Sequence, residues 1–147
     1  MKAVVSPYSP IYQKDVKRVV TDGFAEFGFT FNPQYDSDLD DPGIYEANGG
    51  MMFVLKIDGK AVGAVAVINK GKTTGELKRM YLDKEFRGKG YGSLLFDTAL
   101  AFCKEKGFTK LEFETNKKFK QAHAFYQKKG CEIVGEDARS YYMEKLL

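Results

Sequence analysis

A run of alternating glycines and basic residues is the segment whose residue types point most directly to chemistry. It reads Arg87-Gly88-Lys89-Gly90-Tyr91-Gly92 and stands between a predicted strand and a predicted helix. Glycines at such a junction leave backbone N–H groups uncovered at a helix N-terminus, where the dipole contributes about 0.3–2 kcal/mol to anion binding. Arg87 and Lys89 add positive charge. The segment therefore predicts a site for a phosphate-bearing ligand, with a glycine-rich turn and solvated basic side chains as the alternative.

Two common phosphate-binding motifs fit the sequence poorly. Gly71-Lys72-Thr73 is similar to the end of a P-loop, but that motif needs glycine where Ala66 stands, so a hairpin turn is predicted there. The dinucleotide fingerprint Gly-x-Gly-x-x-Gly would need glycine in place of Ser93. It also has a tight turn after its strand, whereas Asp83 to Arg87 intervene here. A small nicotinamide-dependent enzyme therefore stays a second candidate.

Hydrophobic periodicity indicates the elements that position the glycine segment. A short strand is predicted over residues 2–8, an amphipathic helix over Tyr12–Gly28, and an irregular stretch with a second short helix over Phe29–Gly50. The later predicted elements are strands Met51–Ile57 and Ala61–Ile68 joined by Asp58-Gly59, strand Glu76–Leu82, a helix from Tyr91 that Gly107 ends, strand Lys110–Thr115, helix Phe119–Lys129, and strands Cys131–Val134 and Tyr141–Leu146. This mixture predicts an α+β (α/β) class with a mixed sheet.

Length and composition exclude several classes of protein. A chain of 147 residues suits a single domain over residues 1–147, and a net charge of +3 gives no argument for nucleic acid. The longest apolar run, Ala61–Ile68, is far too short for a bilayer, so no membrane partner is expected. Cys103, Cys131 and His123 give neither a zinc motif nor a disulfide scaffold, so no metal and a cytoplasmic location are predicted.

The glycine segment and a second motif follow one another in a characteristic order. The first follows the predicted strand Glu76–Leu82 and has the form Arg/Gln-x-x-Gly-x-Gly/Ala. The second, Ala122–Gly130, has the form Ala-x-x-Phe/Leu-Tyr-x-x-x-Gly. Together they resemble the acetyl-CoA-binding motifs of the GNAT N-acetyltransferase superfamily, from about Met51 to Val134. Two positions depart from the pattern: Phe119 stands where the family usually has Asn, and Cys131 where it usually has an aromatic residue.

The resemblance implies a fold and a co-substrate. The fold would be a mixed, mostly antiparallel central sheet of about seven strands with a splayed parallel pair, flanked by about four helices. Acetyl-CoA would pair with the strand end like an extra strand and place its pyrophosphate on the glycine segment. The residues implied in binding it are Met80, Tyr81, Leu82, Arg87, Gly88, Lys89, Gly90, Tyr91, Gly92, Ser93 and Asn116. Tyr91 suits core packing equally well, and Phe119 leaves the role of Asn116 open.

Two catalytic residues follow from the same resemblance. Tyr126 would donate a proton to the departing CoA thiolate, with core packing as the alternative role. Glu76 would act as general base, directly or through water, with an exposed strand-end carboxylate as the alternative. A base is useful because an amine with a pKa of about 10.4 is neutral in only about one molecule in 2,500 at pH 7. His123 is predicted to be structural or exposed.

The acceptor implied is a primary amine of a small molecule, amino acid or peptide. In the family, the region from Phe24 to Tyr45 and the last hairpin line the acceptor pocket. Aromatic and acidic residues in this region suit a cationic amine through cation–π contacts and ion pairs, with a solvated acidic loop over a hydrophobic core as the alternative. They are Phe24, Phe27, Phe29, Phe31, Tyr35 and Tyr45 with Asp36, Asp38, Asp40, Asp41 and Glu46. The basic residues Lys117, Lys118, Lys120, Lys128 and Lys129 are predicted to be solvated, or to reach the 3′-phosphate of CoA. A non-catalytic acyl-CoA-binding module and a homodimer both stay open.

Overall fold

The computed structural model describes residues 2–147, which form seven β-strands and four α-helices. The strands are β1 (Ala3–Pro7), β2 (Met51–Ile57), β3 (Lys60–Gly71), β4 (Thr74–Leu82), β5 (Lys110–Asn116), β6 (Glu132–Glu136) and β7 (Ser140–Leu146). The helices are α1 (Gln13–Ala25), α2 (Ile44–Ala47), α3 (Tyr91–Glu105) and α4 (Lys120–Lys128). Short 3₁₀ turns occupy Pro10–Tyr12, Ser37–Asp40 and Lys84–Phe86.

The strands form one mixed sheet in the order β1-β2-β3-β4-β5-β7-β6. Within residues 2–147, β4 and β5 are the parallel pair, and every other neighbouring pair is antiparallel. The predicted fold class is therefore confirmed, including the parallel pair at the centre. The parallel crossover is made by α3, which follows the glycine segment.

Two hairpin turns fix the register of the central strands. Asp58 and Gly59 both have positive φ, as a type I′ turn requires, which confirms the predicted hairpin between β2 and β3. Lys72 and Thr73 also have positive φ and join β3 to β4. The P-loop-like segment is thus a hairpin turn, as predicted, and β3 runs on to Gly71 instead of ending at Ile68.

Alternate residues of the sheet point to two differently covered faces. The α3 face packs against α3 and α4, and its buried residues include Leu55, Val65, Leu77, Leu95, Phe96, Leu111, Phe113 and Tyr126. The α1 face packs against α1, α2 and the segment between them, and its buried residues include Val16, Val20, Phe24, Leu39, Met52, Val54, Ala64 and Ala66. Because side chains alternate along β2, this strand contributes residues to both cores.

Both cysteines lie inside the protein. Cys103 and Cys131 are buried free thiols on the α3 face. Burial raises the pKa of Cys103 to about 11, and it does the same for Cys131 despite the opposing charge of Lys145. Across the described residues, none of the helices combines the length and apolarity needed to cross a membrane.

A substitution at Gly50 tests how closely the backbone just before β2 approaches β3. A Cβ added there would stand 2.0 Å from the backbone oxygen of Val67, which no side-chain movement can relieve. We expect Gly50→Ala to lower the free energy of unfolding by about 3 kcal/mol, measured by urea denaturation. The control is Gly43→Ala, whose Cβ would meet only Asp41 Oδ1 at 3.6 Å. Equal stabilities of the two variants would contradict this packing.

Candidate active site

A gap opens in the sheet where the two parallel strands part. Their pairing covers Thr74–Glu76 of β4 and Lys110–Glu112 of β5. Beyond this paired stretch, β4 continues beside β3 and β5 continues beside β7. Residues 77–82 and residues 113–116 therefore flank an opening. Backbone groups on the facing edges of these segments are available to a strand-like ligand.

A β-bulge bends β4 at this opening. The register passes from Ala66 opposite Lys78 to Ala64 opposite Tyr81, so Arg79 and Met80 together oppose a single residue. Arg79 has a φ of +55°, in the left-handed region that an arginine rarely adopts. Neighbouring interactions must therefore hold this backbone.

Two carboxylates hold Arg79 in place. Its Nη2 donates to Asp36 Oδ1 at 2.9 Å and to Asp38 Oδ1 at 2.8 Å, and its Nε donates to Asp38 Oδ2 at 2.9 Å. The three side chains are only 9%, 10% and 15% exposed. Burial raises the pKa of Asp38, but hydrogen bonds from Arg79 and Tyr45 outweigh it, so the net pKa is lowered. The segment between α1 and α2 is thereby tied to the bulge.

The glycine segment forms the cradle at the start of α3. Gly88 and Gly90 have φ values of +75° and +87°, a region that favours glycine, and Gly90 is the N-cap residue. A Cβ at either position would meet no protein atom within 4 Å, so open space lies in front of both. The first N–H groups of α3 have no partner within the helix and can donate to an anion.

Arg87 links this cradle to α1. Its Nη1 and Nη2 donate to the Glu26 carboxylate at 2.8 and 2.9 Å, and its Nε donates to the Leu82 carbonyl at 2.9 Å. The side chain is therefore engaged within the protein. The positive charge that the sequence predicted for an anion is thus paired with Glu26. The Arg87 backbone N–H donates to the Lys84 carbonyl at 3.3 Å, and the Leu82 carbonyl already has a donor.

One cavity of about 790 Å³ joins the gap and the cradle. The predicted residues that line it are Met80, Tyr81, Leu82, Arg87, Gly88, Gly90, Gly92, Ser93, Asn116 and Tyr126. The predicted residues outside its lining are Glu76, Lys89 and Tyr91. Tyr91 packs on the α3 face, 6.5 Å from Phe86 between ring centroids, which is the core role left open for it. Lys89 Nζ lies 6.0 Å from the centre of the Phe86 ring.

The structure does not bring Glu76 into the cavity. It pairs with Glu112 in the last register position before β4 and β5 part, and with Ile68 on its other side. There the half-buried Glu76 interacts electrostatically with Lys70. The prediction of Glu76 as general base therefore has no support from the geometry, because the residue lies below the opening instead of at its edge.

Tyr126 lies at the bottom of the cavity. Its side chain is 8% exposed and packs 4.6 Å from Phe113 between ring centroids. Within residues 2–147 its hydroxyl has no hydrogen-bond partner. The hydroxyl oxygen is not fully enclosed by protein atoms, so a ligand in the cavity can contact it. Burial raises its pKa well above the usual value near 10, with Tyr81 adding to the effect. The hydroxyl is therefore protonated at neutral pH and free to donate.

His123 and Asn116 form a structural contact beside the cavity. His123 is buried, and its Nε2 lies 2.8 Å from the Asn116 backbone oxygen, to which it donates. The Asn116 side chain accepts from the Lys118 backbone N–H at 2.9 Å. His123 is thus structural, as predicted, and both residues fix the turn that carries the chain from β5 to α4.

The comparisons with known proteins agree on one family. The sequence profile of the Acetyltransferase (GNAT) family matches residues 18–131. The chain belongs to the GNAT family. It is 29% identical to the uncharacterized N-acetyltransferase YjgM of Escherichia coli K12 over 147 aligned positions, which cover 88% of this chain and 86% of YjgM. It is accordingly an acyltransferase of the N-acetyltransferase type.

Solved GNAT structures share the whole fold. An acetyltransferase of the GNAT family from Staphylococcus aureus Mu50 superposes with a TM-score of 0.92 at 21% identity, covering 99% of both chains. The PaiA N-acetyltransferase of Thermoplasma acidophilum, solved in complex with coenzyme A, gives a TM-score of 0.82 at 19% identity over 100% of both chains. The seven-stranded sheet and its helices are therefore those of the GNAT fold.

The sequence did not predict the position of Glu114, the packing of the Tyr81 ring or the contacts of Phe119 in this GNAT site. Glu114 lines the cavity from β5, and Tyr81 lines it with its ring against Gly23, whose added Cβ would stand 2.4 Å from that ring. Burial raises the pKa of Tyr81 to about 12. Phe119, the departure from the family pattern, stacks edge-on against Phe27 at 4.7 Å and Phe29 at 6.1 Å between centroids. Of these, only Phe119 was marked in the sequence, as a departure from the family pattern. It belongs to an aromatic cluster that connects the turn after β5 with the end of α1.

The ion cluster at the bulge predicts a large stability effect. Arg79→Met would leave two buried carboxylates without a cation, so we expect unfolding free energy to fall by about 3–5 kcal/mol at pH 7. Arg139→Met is the control, because Arg139 is exposed and its side chain forms no hydrogen bond or ion pair within residues 2–147, and it should change stability by about 0.5 kcal/mol at most. Urea denaturation of both variants is the measurement, and similar losses would contradict the cluster's importance.

The same cluster predicts a dependence on acid pH. The folded-state pKa of Asp38 lies below its ordinary value of 3.8, so its stabilising contribution is complete above that value and is lost as pH falls through the folded pKa. We expect Asp38→Asn to lose less stability than the wild type between about pH 5 and pH 2. Parallel pH curves for the two proteins would contradict the depressed pKa.

Proposed function

We propose that this protein transfers the acetyl group of acetyl-CoA to a primary amine by direct attack within a ternary complex. The observation that carries the proposal is that residues of both sheet faces line one cavity. The glycine cradle and Tyr126 belong to the α3 face, while Arg79 and Glu114 belong to the α1 face. Two substrates can therefore meet in the gap from opposite sides.

The residues present fit acetyl-CoA. The cradle at Gly88 and Gly90 has room and donors for a pyrophosphate, and the edge of β4 at Met80 offers backbone groups to the pantetheine amides. When bound there, acetyl-CoA supplies an activated thioester. The acceptor is a small molecule, an amino acid or a peptide amine. We further propose that residues 1–147 act as one acetyltransferase domain in the cytoplasm.

Glu114 is the better candidate for the general base. It lies on β5 between Phe113 and Thr115, which point to the α3 face, so its own side chain points to the α1 face. It lines the cavity two positions beyond Glu112, where pairing with β4 ends. From there Glu114 can take the proton that the amine nitrogen loses as the new C–N bond forms.

Tyr126 is the candidate for the general acid. As the C–S bond breaks, the sulfur needs a proton or a hydrogen bond, and the Tyr126 hydroxyl is protonated and unpartnered in the cavity. Glu114 thus gains one proton and Tyr126 loses one on opposite sides of the gap. Solvent exchange restores both groups after the products leave.

Ligand binding is the first test of the proposal. At about a hundred times its dissociation constant, acetyl-CoA should stabilise the protein by about 2.7 kcal/mol and raise Tm by several degrees. We expect acetyl-CoA and CoA to do so and NADH and ATP at matched concentrations to have no comparable effect. A shift with NADH alone would instead favour a nicotinamide-dependent enzyme. Binding of CoA without acetyl transfer to any amine would favour a non-catalytic module.

Single substitutions test the two catalytic roles. Tyr126→Phe should lower kcat by about 10²–10⁴-fold with little change in the KM for acetyl-CoA. Glu114→Gln should remove the limb of the pH–rate profile that rises as the base deprotonates. Acetylated product is quantified by mass spectrometry, and Glu105→Gln on the exposed end of α3 is the control. If Glu114→Gln leaves the pH–rate profile unchanged and Glu76→Gln removes its rising limb, the base role returns to Glu76.

A further inference from the structure

We infer that the acceptor amine also carries a carboxylate, as a free amino acid does, and that Lys78 and Lys118 bind that carboxylate. This inference rests on the proposed function, because it names the acceptor class of the same cavity. It depends on where three charged side chains lie and on which of them already have partners.

Lys78 lies on the α1 face at the edge of the gap. It stands opposite Ala66, which is buried on that face, and directly opposed residues of antiparallel strands share a face. Its charge also acts on Asp38, in the segment between α1 and α2. Lys78 is exposed and lines the cavity.

Lys118 reaches the same face from the other side of the gap. Its Nζ lies 5.1 Å from the centre of the Phe29 ring, and Phe29 packs against the α1 core. Lys118 also lines the cavity, in the turn between β5 and α4. The neighbouring Lys117 instead pairs with Glu136 at 2.9 Å.

Some of the charged side chains that line this cavity form ion pairs within the protein, and others do not. Arg79 pairs with two carboxylates, Asp36 and Asp38, so that cluster keeps one excess negative charge, and Arg87 is neutralised by Glu26. Within residues 2–147, by contrast, no ion pair is formed by Lys78, Lys118 or Glu114. The α1 side of the cavity therefore offers two unpaired cations and one unpaired carboxylate.

That set of charges is complementary to a small zwitterion. Glu114 attracts an ammonium group, and the two lysines attract a carboxylate on the same molecule. A diamine would find one attractive group and two repulsive ones. The two lysines are also unneeded for the CoA phosphates, because Lys84 and Lys120 line the cavity beside the glycine cradle and at the start of α4.

Matched acceptors test the inference. L-alanine, L-aspartate, L-glutamate and L-phenylalanine are each compared with the corresponding α-amide, and putrescine serves as the diamine, all at saturating acetyl-CoA. Removing the carboxylate charge lowers the pKa of the amine, so intrinsic reactivity favours the amide. We expect kcat/KM to be at least about tenfold higher for one or more of the acids than for its amide, which corresponds to about 1.4 kcal/mol.

Variants of the two lysines identify the groups responsible. Lys78→Gln and Lys118→Gln should each raise the acceptor KM about tenfold while the KM for acetyl-CoA changes less than about twofold. Lys78→Glu should lower the preference for acids over putrescine. Lys104→Gln, on an exposed part of α3, is the control and should change neither constant. Tm of each variant confirms that it is folded.

The outcomes separate this inference from the proposed function. Acetylation of amides or putrescine at least as well as of every acid, with acetyl-CoA binding intact, would overturn the carboxylate-bearing acceptor and leave the acetyltransferase proposal standing. A rise in the KM for acetyl-CoA in the lysine variants, with the acceptor KM unchanged, would assign the lysines to CoA. Absence of both acetyl-CoA binding and acetylation would contradict the proposed function and the inference together.

Discussion

The ion cluster of Arg79 with Asp36 and Asp38 is the interaction on which the site depends. An arginine at positive φ is unfavourable by itself, and its backbone is retained because two nearly buried carboxylates hold the side chain. The bulge at this residue bends β4 near the point where pairing with β5 stops. The same contacts attach the segment between α1 and α2 to the edge of the opening. Strand curvature and pocket wall are thus produced by one set of hydrogen bonds.

The gap divides the chemistry between two environments. On the α3 face, glycines, helix donors and the dry surroundings of Tyr126 suit a long, partly apolar co-substrate with phosphates at one end. On the α1 face, side chains with unpaired charge suit a small polar acceptor. Because the sheet separates these surroundings everywhere except at the opening, our proposal has the two substrates meet only where the strands have parted. Positioning, more than any single group, accounts for the catalysis that such an arrangement can achieve.

Local patterns were sufficient for the elements and for half of the site. The hairpin at Asp58-Gly59, the glycine cradle and Tyr126 each depend on residues close together in sequence, and each was predicted. We propose Glu114 in place of Glu76 as the base, and no local pattern encodes that choice because it depends on how far two parallel strands stay paired. Arg79 and its partners were missed for a similar reason. Their contacts join segments far apart in the chain, and an arginine in a strand gives no sign of a left-handed backbone.

The two enclosed cysteines have a practical consequence for assaying this protein. Thiol reagents react with the thiolate, and Cys103 and Cys131 combine burial with a pKa of about 11, so both remain protonated and shielded at neutral pH. A chromogenic disulfide dye added to a reaction mixture would therefore leave the folded enzyme unmodified. Any colour that develops reports the sulfhydryl of released CoA, so turnover can be followed continuously without first replacing either cysteine.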